Sequence, residues 1–164
     1  MYSRQEYSFE KLRVWQAARD LSKAVYFTTA KFPQREIYGL VSQCNRAAVS
    51  VAANLAEGSS RQSRKDQAHY SEIAYGSLME LACLLILATD TGILQTEAEQ
   101  LLRGSIEQLS SQLNALHRSS TSAHRLISSP HLISTFPTGS TTQQFSISAQ
   151  LLNHWKTIER WPLF

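Results

Sequence analysis

Apolar residues recur every three or four positions in four separate stretches of the chain, a spacing typical of amphipathic helices. The first three stretches end at helix-breaking signals, namely Pro33, Gly58 and Gly92. We therefore predict helices over about residues 9–31, 34 or 35–57, 64–90 and 96–119. The residues predicted to face the core are Leu12, Trp15, Ala18, Leu21 or Ser22, Val25 and Thr29; Leu40, Cys44, Ala47, Val51 and Leu55; Ile73, Ser77, Leu81, Leu84, Leu85 and Ala88; and Ala98, Leu101, Leu102, Ile106 or Ser105, Leu109, Leu113 and Leu116 or His117.

Four such helices with short links predict an all-α fold, an antiparallel up-down four-helix bundle over residues 9–119. The 164 residues suffice for one domain with a sizeable core. Residues 1–8 are expected to form a mobile arm. Residues 120–164 are expected to form an irregular extension, because they are rich in Ser and Thr and contain Pro130 and Pro137.

The end of this extension recovers a helical pattern. Leu151, Trp155 and Ile158 have the spacing of one helical face, and Trp161 and Phe164 follow them. We predict a short terminal helix here. It docks either on the bundle or on a partner, since two exposed Trp side chains in seven residues would be unusual.

The second predicted helix is rich in small residues, which let neighbouring helices approach closely. Ser50 and Asn54 lie four apart and can therefore meet each other or a shared partner. Glu80 lies in the most apolar part of the third helix, where an unpaired carboxylate would be costly. We predict a structural polar network of Ser50, Asn54, Ser77 and Glu80, which Arg46 can join. Gly58 is predicted to end the second helix in a left-handed conformation.

The net charge of +3 is unevenly distributed along the chain. Up to Tyr70 the basic residues outnumber the acidic ones by eleven to six, and over 71–119 two basic residues face six acidic ones. This asymmetry suits nucleic acid on one side or head-to-tail contact between copies, although solvated faces often show it too. The candidate phosphate contacts, in order, are Arg46, Arg61, Arg64, Lys65, Arg19, Lys23 and Lys11.

Several kinds of chemistry are not indicated. Cys44 and Cys83 lack a Cys-x-x-Cys spacing and read as core thiols in a reducing cytoplasm, with a disulfide as the alternative. His117, His124 and His131 lie seven apart, but Pro130 interrupts a continuous helix through them, so no metal site is expected. No secretory signal and no apolar run of membrane-spanning length stands out. We expect no enzyme active site and no cofactor.

Four segments, in this order, resemble a bacterial family of four-helix-bundle proteins. The segments are Phe9-Glu10-Lys11-Leu12-x-Val14-Trp15-Gln16-x-Ala18, Phe32-Pro33-x-x-Glu36-x-Tyr38-Gly39-Leu40, Gln43-x-x-Arg46-Ala47-Ala48-Val49-Ser50-Val51-x-x-Asn54-Leu55-Ala56-Glu57-Gly58 and Ala74-Tyr75-Gly76-Ser77-Leu78-x-Glu80-Leu81. The family includes proteins encoded in intervening sequences of large-subunit ribosomal RNA genes. It also includes the accessory variability determinants of diversity-generating retroelements. The extension after about Ser119 is outside the resemblance.

The resemblance implies a homo-oligomer, a barrel-like pentamer, with basic groups exposed to RNA or DNA. In the retroelement branch, the partner is a reverse transcriptase that the protein assists in mutagenic copying. The alternatives are a ribosomal RNA intervening-sequence protein and an oligomeric scaffold acting through protein contacts. Asn45 stands where the family often has a second Arg before Arg46, which lowers the local positive charge.

Overall fold

The computed structural model describes residues 5–127, with side chains through Thr121, and this part of the chain is all-helical without strands. The four long helices are α1 (Arg13–Thr29), α2 (Ser42–Ser59), α3 (Arg64–Asp90) and α4 (Thr96–Ile127). The predicted all-α class is therefore confirmed for the described residues. The predicted terminal helix around Trp155 lies outside them.

The first predicted helix is divided in two. A 3₁₀ turn, Ser8–Lys11, precedes α1, and Leu12 between them is extended, with φ −75° and ψ 120°. This change of direction lets the Phe9 ring meet the Trp15 ring edge-on, with their centroids 4.9 Å apart. The helix also ends at Thr29 rather than at residue 31, because the chain must leave the helical conformation before Pro33.

The second predicted helix begins irregularly. A 3₁₀ turn, Gln34–Glu36, and a π-helical turn, Ile37–Val41, precede α2. Gly39 has non-helical dihedral angles, φ −100° and ψ −119°, so the regular helix starts only at Ser42. Glu36 has the predicted position at the helix start, where its carboxylate accepts a hydrogen bond from the Leu40 N–H at 3.4 Å.

The prediction for Gly58 is wrong. Gly58 lies inside α2, which continues to Ser59, and a Cβ atom on it would stand 2.8 Å from the Cβ of Tyr70 in α3. The glycine is therefore required for close approach between two helices and not for a left-handed turn. Among the described glycines, Gly92 has a positive φ of 69°, and it ends α3 as predicted.

The four helices pack in a closed order: α1 on α2, α2 on α3, α3 on α4, and α4 on α1. Between α1 and α2, Ser22 contacts Ala48 and Thr29 contacts Asn45, so later residues of one helix meet earlier residues of the other. The largest fully buried side chains are those of Leu78, Leu81, Leu85, Leu109, Leu113, Val25, Val51, Thr29 and Cys44. Most of the predicted core positions are thus inside.

Eight of the predicted core positions are not fully buried, namely Leu12, Trp15, Leu40, Ile73, Leu84, Ala98, Leu101 and Leu116. Leu12 and Trp15 are half-buried, and Val14 points into the core in their place. Ile73 of α3 and Leu101 of α4 are exposed. Helical spacing alone leaves the direction of an apolar strip uncertain by about one position, and the neighbouring helices decide it.

The fourth helix is longer than predicted. α4 continues beyond Ser119 to Ile127, the last described residue. Thr96 is its first residue and not its cap, because the Gln95 carbonyl accepts the N–H groups of Ala98 and Glu99 at 3.1 Å. Glu97 and Glu99 lie in the first turn as predicted, where negative charge is favourable.

One described helix, α3, is long and apolar enough to cross a membrane, contrary to the expectation of no such stretch. This property is weak evidence for a span, because core helices pass the same test of length and composition. α3 packs on both α2 and α4, and 33% of its apolar window is buried in this core.

Candidate nucleic-acid interface

Arg46 and Glu80 form an ion pair between α2 and α3. The Arg46 guanidinium also donates to the Gln43 side chain, with its Nη2 2.9 Å from Oε1. The Glu80 side chain is 39% exposed, so this carboxylate is neither buried nor unpaired. Arg46 is the first of the phosphate contacts that the sequence predicts, but Glu80 partly neutralises its charge.

A second polar group lies further along the same two helices. The hydroxyls of Ser50 and Ser77 are 2.9 Å apart, and the Asn54 amide donates to the Ser50 carbonyl at 2.8 Å and to its hydroxyl at 3.1 Å. The structure thus brings together three members of the predicted network. It separates Glu80 from them, since this carboxylate bonds to Arg46.

Asn45 has a structural contact that the sequence did not indicate. Its side-chain oxygen accepts a hydrogen bond from the hydroxyl of buried Thr29, at 2.9 Å. An arginine side chain has no hydrogen-bond acceptor, so at this position it could not accept the hydrogen bond from the Thr29 hydroxyl. At position 45 this protein therefore has an interhelical hydrogen bond where the family pattern often has a second cation.

The end of α2 and the start of α3 are joined by Glu57, Arg61 and Tyr70. The Tyr70 hydroxyl donates to the Glu57 carboxylate at 2.6 Å and accepts from the Arg61 guanidinium at 2.8 Å, and Arg61 also pairs with Glu57. Hydrogen bonds from Tyr70 and then from Arg61 lower the pKa of Glu57. The same carboxylate raises the pKa of both Arg61 and Tyr70.

Arg64 and Lys65 differ from Arg61, although the sequence grouped all three. Both are exposed in the first turn of α3, and neither forms an ion pair with any described residue. Ser63 caps this helix as predicted, with its hydroxyl accepting the Asp66 N–H at 3.4 Å. Arg61 is held by Glu57, whereas Arg64 and Lys65 keep their full charge for an external anion.

The three candidate cations on α1 and in the turn before it, Lys11, Arg19 and Lys23, are all exposed. The Arg19 guanidinium lies 5.9 Å from the centre of the Trp15 ring, and Lys11 forms no ion pair with a described residue. Lys23 is paired with Asp20 at 3.1 Å, but both side chains are well exposed and such pairs contribute little.

An open groove of about 600 Å³ runs between α1 and α2. We call it the α1–α2 groove. The first wall consists of Trp15, Arg19, Ser22, Lys23, Tyr26 and Phe27. The second wall consists of Val49, Ala52, Ala53 and Ala56, and Phe9 lies at one end. None of these described lining residues is acidic. The sequence had identified Arg19 and Lys23 but not the aromatic groove beside them.

Ser71, His117 and Glu72 are arranged in the order of a hydrolase triad, but their geometry is unsuited to catalysis. The Ser71 oxygen is 3.5 Å from His117 Nδ1, and His117 Nε2 is 3.7 Å from Glu72. Ser71 is also buried, and its hydroxyl donates to the Ala68 carbonyl at 2.7 Å. A nucleophile so placed has no access to a substrate.

The described residues also contain no group of side chains that could hold a metal ion, and His124 and His131 lie outside the described side chains. Cys44 is buried, and burial raises the pKa of its thiol to about 11. Cys83 is exposed, contrary to the prediction, because it lies on the outer side of α3. Both cysteines are free thiols.

The sequence model of one protein family, described as 23S rRNA-intervening sequence protein, matches residues 10–115. The chain belongs to this family. The match includes all four helices as far as residue 115 and all seven candidate phosphate contacts. No curated protein matches the chain. The ribosomal half of the predicted resemblance is thus confirmed, and the retroelement half stays a prediction.

Proposed function

We propose that this member of the 23S rRNA-intervening sequence protein family is a non-enzymatic protein that binds RNA through its basic end. The observation that carries the proposal is the group of exposed cations without carboxylate partners, namely Arg64, Lys65, Lys11 and Arg19. An unpaired cation can neutralise a phosphate and release its counterion, whereas a paired one must first lose its carboxylate. The family description supports RNA as the ligand.

The helix contacts place Lys11, Arg64 and Lys65 towards the same end of the described helices, although these residues are far apart in sequence. The turn before α1 contacts α2, and the residues of α1 and α2 meet in opposite order, so the start of α1 lies beside the end of α2. Gly58 in the last turn of α2 meets Tyr70 near the start of α3. We call this part of the molecule the basic end. Lys11, Arg64 and Lys65 belong to it, and Arg19 lies two turns along α1.

We further propose that the helices form an antiparallel up-down bundle. The contacts of α2 with α3 support this arrangement, since Gly58 meets Tyr70, Ser50 meets Ser77 and Arg46 meets Glu80. Later residues of α3 thus contact earlier residues of α2. The α1–α2 contacts follow the same opposite order.

The protein is also proposed to be a cytoplasmic homo-oligomer, with five subunits as the number that the resemblance implies. The homo-oligomer is supported by a set of exposed apolar side chains on α3 and α4, which a second copy would cover. These side chains are Ile73, Met79, Ile86, Leu87 and Leu101. If these contacts with other proteins were its whole function, the protein would be a scaffold without affinity for RNA.

The retroelement role is a narrower form of the same proposal. An accessory subunit of a reverse transcriptase would use the basic end to hold template RNA, so the surface proposed here serves both branches. A purified reverse transcriptase of such an element would bind this protein under that hypothesis. The family match supports the intervening-sequence branch as the first candidate.

The test is the affinity of the full chain for a stem-loop RNA across a salt series, measured by fluorescence anisotropy. In the variant Arg64→Glu with Lys65→Glu, we expect the affinity to fall at least about tenfold. The slope of log affinity against log salt should become shallower by roughly 1.4–1.8, since each of the two lost phosphate contacts contributes about 0.7–0.9.

The control is Lys31→Glu with Arg35→Glu, which makes the same change in charge just beyond the opposite end of α1, where Arg35 pairs with Glu36 at 3.8 Å. Both residues are exposed. This variant should retain the affinity within about twofold, a change near the limit expected of distant, screened charges. Equal losses in both double variants would show that only net charge matters and would overturn the assignment to the basic end. Light scattering on the same samples reports the number of subunits.

A further inference from the structure

The α1–α2 groove presents aromatic rings to the exterior, which the basic end alone does not explain. The Tyr26 side chain is 50% exposed at one end of the groove, and half-buried Trp15 lies near the other. Phe9 extends the aromatic row, because its ring packs edge-on against Trp15. From Trp15 to Tyr26, α1 rises by about 16 Å.

The α2 wall of the groove projects little from its helix, because α2 contributes alanines. Ala52, Ala53 and Ala56 project only methyl groups towards the rings of α1. The helices are held close by the Ser22 hydroxyl, which donates to the Ala48 carbonyl at 2.9 Å. The rings are therefore attached to a rigid helix beside a shallow floor, which leaves a ring face open to a flat ligand.

Two positive charges lie between these rings along α1. The order along the helix is Trp15, Arg19, Lys23 and Tyr26, and the Arg19 guanidinium lies 5.9 Å from the centre of the Trp15 ring. Asp20 is the nearest carboxylate to Lys23 and is itself exposed, so water screens the pair. A ligand that suits this wall has flat apolar faces and negative charges at short intervals.

We propose that the α1–α2 groove binds unpaired nucleobases of single-stranded RNA. Tyr26 and Trp15 stack on the bases, and Arg19 and Lys23 contact the phosphates that join them. At about 3.4 Å per stacked nucleotide, the distance from Trp15 to Tyr26 accommodates roughly five bases. This inference rests on the proposed function and adds to it a preference for unpaired over paired RNA, since bases inside a duplex cannot offer their faces.

The experiment compares the full chain and its variant Tyr26→Ala in binding a twelve-nucleotide oligouridylate and a twelve-base-pair RNA duplex. The variant should bind the single strand at least about fivefold more weakly, as expected for one lost stacking partner, and the duplex within about twofold. Tyr26→Phe keeps the ring and should restore single-strand binding. Tyr38→Ala removes a tyrosine that is 93% exposed outside the groove and should leave both affinities unchanged.

Each other result has a distinct meaning. If Tyr26→Ala leaves single-strand binding unchanged while Arg64→Glu with Lys65→Glu weakens it, the stacking site is overturned and the proposed function stands. If Tyr26→Ala instead lowers the mass in light scattering and leaves both affinities unchanged, the groove is a contact between copies and the stacking site is again overturned. If the unmodified protein binds neither RNA, the proposed function and the stacking site both fail.

Discussion

The two outer grooves of the helical part differ in charge although both lie between neighbouring helices. The α1–α2 groove is lined by aromatic rings, alanines and the cations Arg19 and Lys23. A smaller groove of about 210 Å³ between α3 and α4, the α3–α4 groove, is lined partly by Glu99 and Glu107. The Glu99 carboxylate is almost fully buried and pairs with Arg103 of the same helix.

This difference shows that the helical fold alone does not decide the charge of a groove between two helices. A carboxylate near a phosphate path opposes binding by direct repulsion, and a buried one holds any nearby arginine. In the α3–α4 groove, the one lining cation, Arg103, is occupied in this way. In the α1–α2 groove, Arg19 contacts a ring instead of a carboxylate and keeps its charge.

The largest expected effect concerns the contact between Gly58 of α2 and Tyr70 of α3. These two helices each belong to one of the two grooves. In Gly58→Ala the new methyl group would stand 2.8 Å from the Tyr70 Cβ, which is fixed to the α3 backbone and cannot swing away. We expect a net loss of roughly 1–2 kcal/mol in the free energy of unfolding, since overpacking exceeds the gain in helix propensity. Urea unfolding followed by circular dichroism measures it.

The matched control is Gly76→Ala, in the middle of α3. A Cβ atom there meets no other atom within 4 Å, so only the helix propensity changes. This variant should gain about 0.5–1 kcal/mol in the same measurement. Equal stabilisation of both variants would contradict the tight α2–α3 approach.

A smaller effect is expected from adding a carboxylate to the α1–α2 groove, so that its charge resembles that of the α3–α4 groove. Ala53→Glu places a carboxylate on the alanine wall, opposite Arg19 and Lys23. Single-stranded RNA should then bind roughly fivefold to tenfold more weakly, because the new charge repels phosphate and attracts the two cations. Anisotropy titrations at constant salt measure the change.

Two controls separate charge from size and from location. Ala53→Gln has nearly the same volume without the charge and should stay within about twofold of the unmodified protein, as is usual for an exposed substitution. Ser110→Glu adds the same charge to the α3–α4 groove and should also have little effect. If Ser110→Glu weakened binding as much as Ala53→Glu, the comparison between the grooves would fail.

The smallest expected effect is a dependence of stability on pH at the basic end. Hydrogen bonds from Tyr70 and Arg61 lower the pKa of Glu57 below its ordinary value of 4.5. A carboxyl with a lowered folded-state pKa stabilises the protein above the unfolded-state value, and this contribution is lost as the pH falls through the folded-state value. The advantage of the unmodified protein over Glu57→Gln should therefore be constant above about pH 5 and shrink below about pH 4. Urea midpoints at several pH values test this, and a pH-independent difference would contradict the hydrogen-bonded ionised carboxylate.

The candidate site was partly predictable from the sequence. Basic density alone pointed to the loop before α3, and the residues there are exposed as expected. Sequence spacing could not tell that Arg61 is held by Glu57 and Tyr70 while Arg64 and Lys65 are not. The groove was missed for a related reason: Tyr26 was not assigned to any face, because the other wall of the groove lies on another helix.

By itself, the sequence determined the all-α class, the positions of four helices, the boundaries of α3, and the membership of a family whose pattern it carries. Local physics suffices for these, since apolar periodicity, the Ser63 cap and the Gly92 turn act within a few residues. Only the tertiary structure decided which cations remain unpaired, why Gly58 has no side chain, and which aromatic rings share a groove. Those properties depend on pairs such as Arg46 with Glu80 and Gly58 with Tyr70, which meet only when α2 packs against α3.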